Sequence, residues 1–252
     1  MKRLYSTLFL VVAAASLSYA QSFENLENRQ GDNPFAYNGF HMFLRYTHVS
    51  PKYTESYGGF TINGSYRNDY YNKWEPSYHF ENPTLGDLIF LLFNINKMKN
   101  RTSEQAFGSG FLGWHQVYLN AVAQERLLIS PGVSFGDYIF GSKRAAPASP
   151  STLEPAGYYL HVGPALKVSY LLSERYWVDG YFRYDIGFKV GKPSADYLEI
   201  KDYEKPHFIT LGGQIHSVKS RLFAGLRMNT LLDRGINKDR ATRIDLSLGY
   251  MF

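Results

Sequence analysis

Residues 176–191, YWVDGYFRYDIGFKVG, alternate with a period of two: Tyr176, Val178, Phe182, Tyr184, Ile186, Phe188 and Val190 share one parity. Asp179, Arg183, Asp185 and Lys189 occupy the other. A period of two is the signature of a β-strand with one apolar and one polar face. The pattern recurs through the C-terminal half. In YYLHVGPALKVSYLL, Tyr158, Leu160, Val162, Leu166, Val168, Tyr170 and Leu172 oppose His161, Lys167 and Ser169. In RLFAGLRMNTLL, Leu222, Ala224, Leu226 and Met228 oppose Arg221, Arg227 and Asn229, with Phe223 a hydrophobic exception on the polar side. The last segment, RIDLSLGYMF, sets Ile244, Leu246, Leu248, Tyr250 and Phe252 against Asp245, Ser247 and Gly249. Each run reaches the roughly 9–11 residues that a tilted strand needs to cross a bilayer.

Upstream the alternation is noisier. FLGWHQVYLNAVA, with Trp114, Gln116, Tyr118 and Asn120 on one face, and LLISPGVSFGDYIF read as strands, as do FHMFLRYTHV and, more weakly, GGFTINGSY. GDLIFLLFNIN is apolar on both faces; its flanking turn residues favour a strand over a short buried helix. Short joins at 124–126, 173–175 and 217–219 alternate with long polar or Pro-rich stretches at 141–157, 191–206 and 233–242. That is the rhythm of a membrane barrel, with short turns on one side and long loops on the other. The count is about ten strands, or eight without the first two. The ten-strand reading makes RNDYYNKWEPSYHFENPT a long connection on the short-turn side. The fold class expected is all-β, a transmembrane antiparallel up-and-down barrel. A soluble lipocalin-like barrel would carry the same alternation with its apolar face inward. Strand length, the number of lipid-sized apolar runs and the terminal aromatic favour the membrane.

Composition supports this. Tyr and Phe number 21 and 18, aromatic content is 17%, and mean hydropathy is only −0.30. Helical membrane proteins do not average so low, whereas a barrel touches lipid with alternate residues only. The N-terminus reads as an export signal: Lys2 and Arg3, then LFLVVAAASL, then small residues Ser18 and Ala20 before Gln21. The apolar run is too short to span a membrane as a helix. Residues 1–20 are therefore expected to be a cleaved signal peptide, 21–38 an N-terminal periplasmic segment, and 39–252 the barrel. Cleavage takes away two basic and no acidic residues, leaving 25 against 22, a formal charge of +3. Such a balance gives no argument for nucleic acid. There is no cysteine, which excludes disulfides, thiol catalysis, cysteine–zinc sites and a lipidated cysteine.

With its signal-like start, its repeated amphipathic strands and a last strand ending Leu248, Tyr250, Phe252, the chain resembles the small outer-membrane β-barrels of Gram-negative bacteria. The resemblance covers most of the mature chain. It implies a location in the cell outer membrane and contact with outer-membrane lipid and lipopolysaccharide. It also implies that the alternating terminus, Leu248, Tyr250 and Phe252, is the assembly signal read by the barrel-assembly machinery. Gln21 after the cleavage site and the many tyrosines resemble Bacteroidetes-type proteins. In such a barrel Arg45, Lys167, Asp179, Arg183, Asp185, Lys189, Arg227 and Asp245 would face the lumen. Lys167 would sit opposite or diagonal to Asp179, within reach of an ion pair. Tyr158, Tyr170, Tyr176, Trp177 and Tyr250 would form interfacial girdles.

Some members of this family are enzymes, but the chain shows no catalytic constellation. His216 and Ser217 are adjacent and so point to opposite faces of a strand. Asp185 and Asp196 have no partner at a useful spacing. His41, His48, His79, His115, His161 and His207 are scattered without metal-ligand pairs, so no metal or other cofactor is expected. The glycines of GSGFLG and GGFTING read as hairpin or bulge residues rather than a phosphate loop. The expected function is a non-enzymatic surface anchor or scaffold, in contact with envelope or secretion partners. A narrow channel for polar or ionic solutes is the alternative, and a lipid A-modifying or surface hydrolase the second.

Overall fold

The computed structural model describes residues 37–51, 56–82, 103–144, 154–190, 206–233 and 240–252. Eleven strands form among them: β1 (Tyr37–Pro51), β2 (Tyr57–Asp69), β3 (Pro76–Glu81), β4 (Ser103–Leu119), β5 (Val122–Gln124), β6 (Leu127–Arg144), β7 (Glu154–Ser173), β8 (Tyr176–Lys189), β9 (Pro206–Ser217), β10 (Leu222–Asp233) and β11 (Arg240–Met251). Every pairing is antiparallel. The first strand pairs with the last, His41 opposite Met251 and Ser50 opposite Thr242, while β4 pairs with β6. These two seams close the sheet. The short β5 carries the line of β4 past Asn120 and pairs with the start of β6. The result is a closed antiparallel barrel of ten staves, with no helix among the described residues. Closure leaves no free edge to recruit another chain.

Parity becomes inside and outside. On β8, Asp179, Arg183 and Asp185 are buried, while Tyr176, Phe182, Ile186 and Phe188 are exposed. The same division holds on β1 (Met42 and Leu44 exposed), β7 (Leu160, Val162, Leu166), β9 (Leu211, Ile215), β10 (Leu222, Leu226, Met228) and β11 (Ile244, Leu246, Leu248). Charges point in and aliphatic side chains point out, the reverse of a lipocalin-like barrel. Phe223, the exception in the sequence pattern, faces inward. There it packs with Phe43, Leu128, Trp177 and Met251 into an apolar cluster near the rim that holds both ends of the barrel. Trp177 is thus not a girdle residue: it is buried and stacks on His216 with ring centroids 4.5 Å apart. Tyr170, Tyr176 and Tyr250 do face outward. The side chain of Tyr158 lies outside the described residues.

Turns at residues 125–126, 174–175 and 218–220 stand where short joins were expected. A fourth, at 70–75, gathers at the same rim and is held by Asn120, whose Nδ2 donates to Tyr70 O at 2.6 Å and Asn72 O at 3.2 Å. This fourth turn corrects the third stave. The stretch from Arg67 onward is not one long connection: β2 runs to Asp69, and Pro76–Glu81 returns as β3 between β2 and β4. GDLIFLLFNIN lies outside the described residues. The strand was missed because it is only six residues long and carries His79 and Glu81 inward beside Ser77, so its alternation is weakly hydrophobic. Pro76 at its first position costs no ladder hydrogen bond. Strands β6 and β7 also extend further into the 141–157 stretch than expected, to Arg144 and from Glu154. Residues 1–36 lie outside the described residues, and β1 opens at Tyr37.

Candidate functional site

The interior is where charge collects, and a β-bulge sets its centre. Between Ser109, opposite Tyr138, and Trp114, opposite Gly136, the β4–β6 register shifts. Asp137 fills the gap by accepting from the N–H groups of Leu112 and Gly113 at 2.8 and 3.0 Å. Gly113 has φ +78°, and a Cβ there would meet Glu81 O at 2.7 Å. This corner, read from GSGFLG as a possible bulge, aims Trp114 into the lumen, where it is fully buried with Nε1 donating to Asp137 O at 3.2 Å.

Two chains of ion pairs run through the interior, and the second sets Arg227 and Arg243 over the Trp114 ring. In the first, Lys167 pairs with Asp69, Asp69 with Arg67 at 2.8 Å, and Arg67 with Asp179 at 2.8 Å. His79 contacts Asp69 at 2.6 Å, and His216 contacts Asp179 at 3.0 Å. In the second, Arg45 pairs with Glu81, and Glu81 takes Arg227 in a two-pronged contact at 2.6 and 3.1 Å. Arg227 also meets Asp245 at 2.8 Å, and Asp245 accepts from Arg243 Nε at 2.8 Å and Thr47 Oγ1 at 2.7 Å. These bonds cross the barrel. Arg67 on β2 and Asp179 on β8 sit on staves five apart in either direction round the ring. Arg227 on β10 reaches the Trp114 ring on β4, also five staves away, with its guanidinium carbon 4.5 Å from the centroid. Contacts between opposite walls fill the cross-section, as expected of a barrel this narrow.

Arg183 differs from its neighbours. It is 2% exposed, its guanidinium carbon lies 5.4 Å from the Trp114 ring, and Nη2 donates to Thr210 Oγ1 at 3.1 Å. Its Nε and Nη1 make no hydrogen bond, and it has no ion pair among the described residues. Beside it is a cavity of about 60 Å³, lined also by Arg227, Lys167, Tyr118 and Tyr181.

Of the residues expected in the lumen, Arg45, Lys167, Asp179, Arg183, Asp185, Arg227 and Asp245 are all buried. Lys189 ends β8 opposite Tyr159; its side chain lies outside the described residues. Lys167 does stand diagonal to Asp179, because the register sets it opposite Tyr181 and sets Asp179 opposite Ser169. Its ammonium nevertheless reaches across the lumen to Asp69, while Asp179 is taken by Arg67 and His216. Arg67, Asp69, Glu81 and Arg243 were not singled out in the sequence. The first three flank the unrecognised turn and β3, and Arg243 stands at the head of a run read for its apolar face. The histidines are less scattered than their spacing suggests. His41 and His216 have ring centroids 6.0 Å apart, and His79 joins the same ion-pair chain.

A Ser, a His and an Asp also meet. Ser134 Oγ donates to Asp185 Oδ1, and His161 Nδ1 lies 3.4 Å from Asp185 Oδ2. The carboxylate is central here, whereas a nucleophilic triad needs the imidazole between hydroxyl and carboxylate. Ser134 is therefore a hydrogen-bond donor, not an activated nucleophile. His216 is buried while the neighbouring Ser217 Oγ accepts from Ser220 at the turn, so that pair does not converge. Among the described residues no group of three or more His, Asp or Glu is placed to hold a metal ion. Leu248, Tyr250 and Phe252 all face outward.

No protein-family model matches the chain, and no curated protein does. Among solved structures it is similar to the translocator domain of the autotransporter NalP from Neisseria meningitidis, with 9% identity, 96% of this chain and 97% of that one covered, and a TM-score of 0.38. It is also similar to Ail, the attachment invasion locus protein of Yersinia pestis, at 9% identity and TM-score 0.30, covering 85% and 97% of the two chains. A third is the NanC porin, at 10% identity and TM-score 0.29, covering 82% and 98%. Similarity this low leaves the fold to rest on the strand pairing of the chain itself. The Bacteroidetes-type resemblance finds no support among these matches.

Proposed function

We propose that the chain is an outer-membrane barrel whose interior is closed by its own side chains and whose role is to anchor or scaffold at the cell surface. The observation carrying this reading is the set of ion pairs that join opposite walls, above all Arg67 to Asp179 and Lys167 to Asp69. A solute path through the lumen would have to part them. Burying these charges is tolerable only because they are paired, Asp69, Glu81 and Asp245 each between two cations and Asp179 with Arg67, and that arrangement would be lost in a hydrated channel. The membrane location follows from exposed aliphatic side chains on nearly every stave, which in water would form a patch far larger than a soluble monomer carries. The rim with the short turns and both ends of the barrel would face the periplasm, and the longer connections between staves the outside. Those connections are the parts left to meet envelope partners.

The cavity of about 60 Å³ with mixed charge on its walls favours a narrow channel as the second reading. Planar-bilayer recording separates the two. The folded barrel, identified by its altered gel mobility when unheated, is expected to give no unitary conductance steps in molar salt. Reproducible steps from such a preparation would overturn the closed-anchor reading in favour of the channel.

A further inference from the structure

We infer that His41, His79 and His216 make the closure of the barrel acid-sensitive: proton uptake by these rings loosens the pairing of Arg67 with Asp179 and Asp69. The inference rests on the closed interior proposed above, since these pairs are among those that close it. The three rings lie on β1, β3 and β9, between the apolar cluster at the short-turn rim and the first chain of ion pairs. His216 is fully buried and stacked on Trp177, and its Nδ1 lies 3.4 Å from Met251 Sδ. A thioether sulfur is only an acceptor, so Nδ1 carries the hydrogen and the neutral ring presents a bare Nε2. That Nε2 is 3.2 Å from Arg67 Nη1, which donates to it, and 3.0 Å from Asp179 Oδ2. One nitrogen cannot serve both partners. A proton on Nε2 ends the bond from Arg67 and turns the ring into a charged donor to Asp179, in competition with Arg67 for the same carboxylate. Neither oxygen of Asp179 receives a well-aligned hydrogen bond, so the carboxylate has the capacity to accept one.

The other two rings act in the same direction. His79 stands opposite Arg67 in the ladder and contacts Asp69, a carboxylate already held by Arg67 and Lys167. His41 packs on Tyr37 and Phe223 with Nε2 unbonded, and among the described residues it makes no ion pair. The charged groups facing the three rings are Arg67 and Asp69 from β2, Lys167 from β7 and Asp179 from β8. Strand β4 adds the neutral Tyr118, 5.3 Å from His79, while β10 and β11 add the uncharged Phe223 and Met251. Two cations and two carboxylates balance while the rings are neutral. Each proton taken up is then an uncompensated positive charge in a dry space beside Arg67 and Lys167. Unfolded histidines charge below about pH 6.5, so the folding constant falls as the pH drops, by up to about tenfold per pH unit for each proton the fold refuses.

The test uses the full chain folded in lipid vesicles between about pH 7.5 and 5, above the range in which ordinary carboxylates protonate. The urea unfolding midpoint of the wild type is expected to fall with pH. His216→Gln, which offers Arg67 an amide oxygen and takes up no proton, should flatten that fall, and His41→Phe should flatten it in part. Trp177 reports the same event at the site, because an imidazolium stacked on an indole quenches its emission. Wild-type fluorescence should drop reversibly towards the acid end, and that of His216→Gln should not. A wild-type midpoint and emission that stay flat over this range, or a fall that both variants keep in full, would overturn the inference. The closed-interior reading fails separately, by conductance steps at the neutral end.

Discussion

Asp245→Asn lowers the unfolding free energy of the barrel by roughly 3–5 kcal/mol, the usual cost of removing one partner from a buried ion pair. The side chain is 2% exposed and accepts from Arg227, Arg243 and Thr47. An amide of the same shape keeps the packing but offers one oxygen and no charge to two guanidiniums. Arg227 retains Glu81 as a partner and Arg243 retains Thr47, so the loss is that of the carboxylate shared between them. A double-mutant cycle with Arg243→Met makes the point quantitatively: the two substitutions remove one shared interaction, so the double variant loses less than the sum of the single ones. The check is the urea unfolding midpoint in lipid vesicles for the two single variants and the double. Additive effects would mean that the two side chains do not interact.

Leu246→Arg destabilises the folded state by roughly 2–4 kcal/mol if Leu246 faces the bilayer midplane. The residue is 51% exposed on β11, opposite Tyr46 on one side and Leu226 on the other. On a protein surrounded by water, an exposed Leu→Arg change of this kind would fall within about 0.5 kcal/mol of neutral. The same folding titration in vesicles measures it. The prediction is local in depth: Leu222→Arg, next to the turn rim, should cost less, because the penalty fades towards the interface. Equal, negligible costs at both positions would indicate a solvated face.

Much of this architecture can be read from the chain because the alternation does double duty. In β8, one parity supplies Phe182, Ile186 and Phe188 to the outside and the other supplies Asp179, Arg183 and Asp185 to the inside. What parity alone leaves open is which face is interior. Here the charges are interior, and apart from the same-strand pairs Arg67–Asp69 and Arg243–Asp245 their counter-charges lie on other staves. Pairing partners are illegible for the same reason. Lys167 stands diagonal to Asp179 on the adjacent stave, but a long side chain in a narrow lumen can cross it, and Lys167 does so to reach Asp69. The third stave was obscured by its length and polarity, although His79 and Glu81 sit at the same parity and both face inward to bind Asp69 and Arg45. Trp177 and Phe223 show the limit of the girdle argument. An aromatic near a strand end serves the interface when its parity is outward, as for Tyr176, and a core when it is inward.

The central claim is that lipid surrounds this barrel and that its interior is packed, and a nitroxide scan along β11 tests it most directly. The chain has no cysteine, so single cysteines can be placed and labelled from Arg243 to Tyr250 without further change. Labels at positions 244, 246 and 248 should be readily relaxed by oxygen, which concentrates in lipid, and shielded from a water-soluble nickel chelate. Labels at 245 and 247 should be immobile and shielded from both. Even-numbered positions open to the nickel chelate, or mobile odd-numbered positions that it reaches freely, would contradict the account.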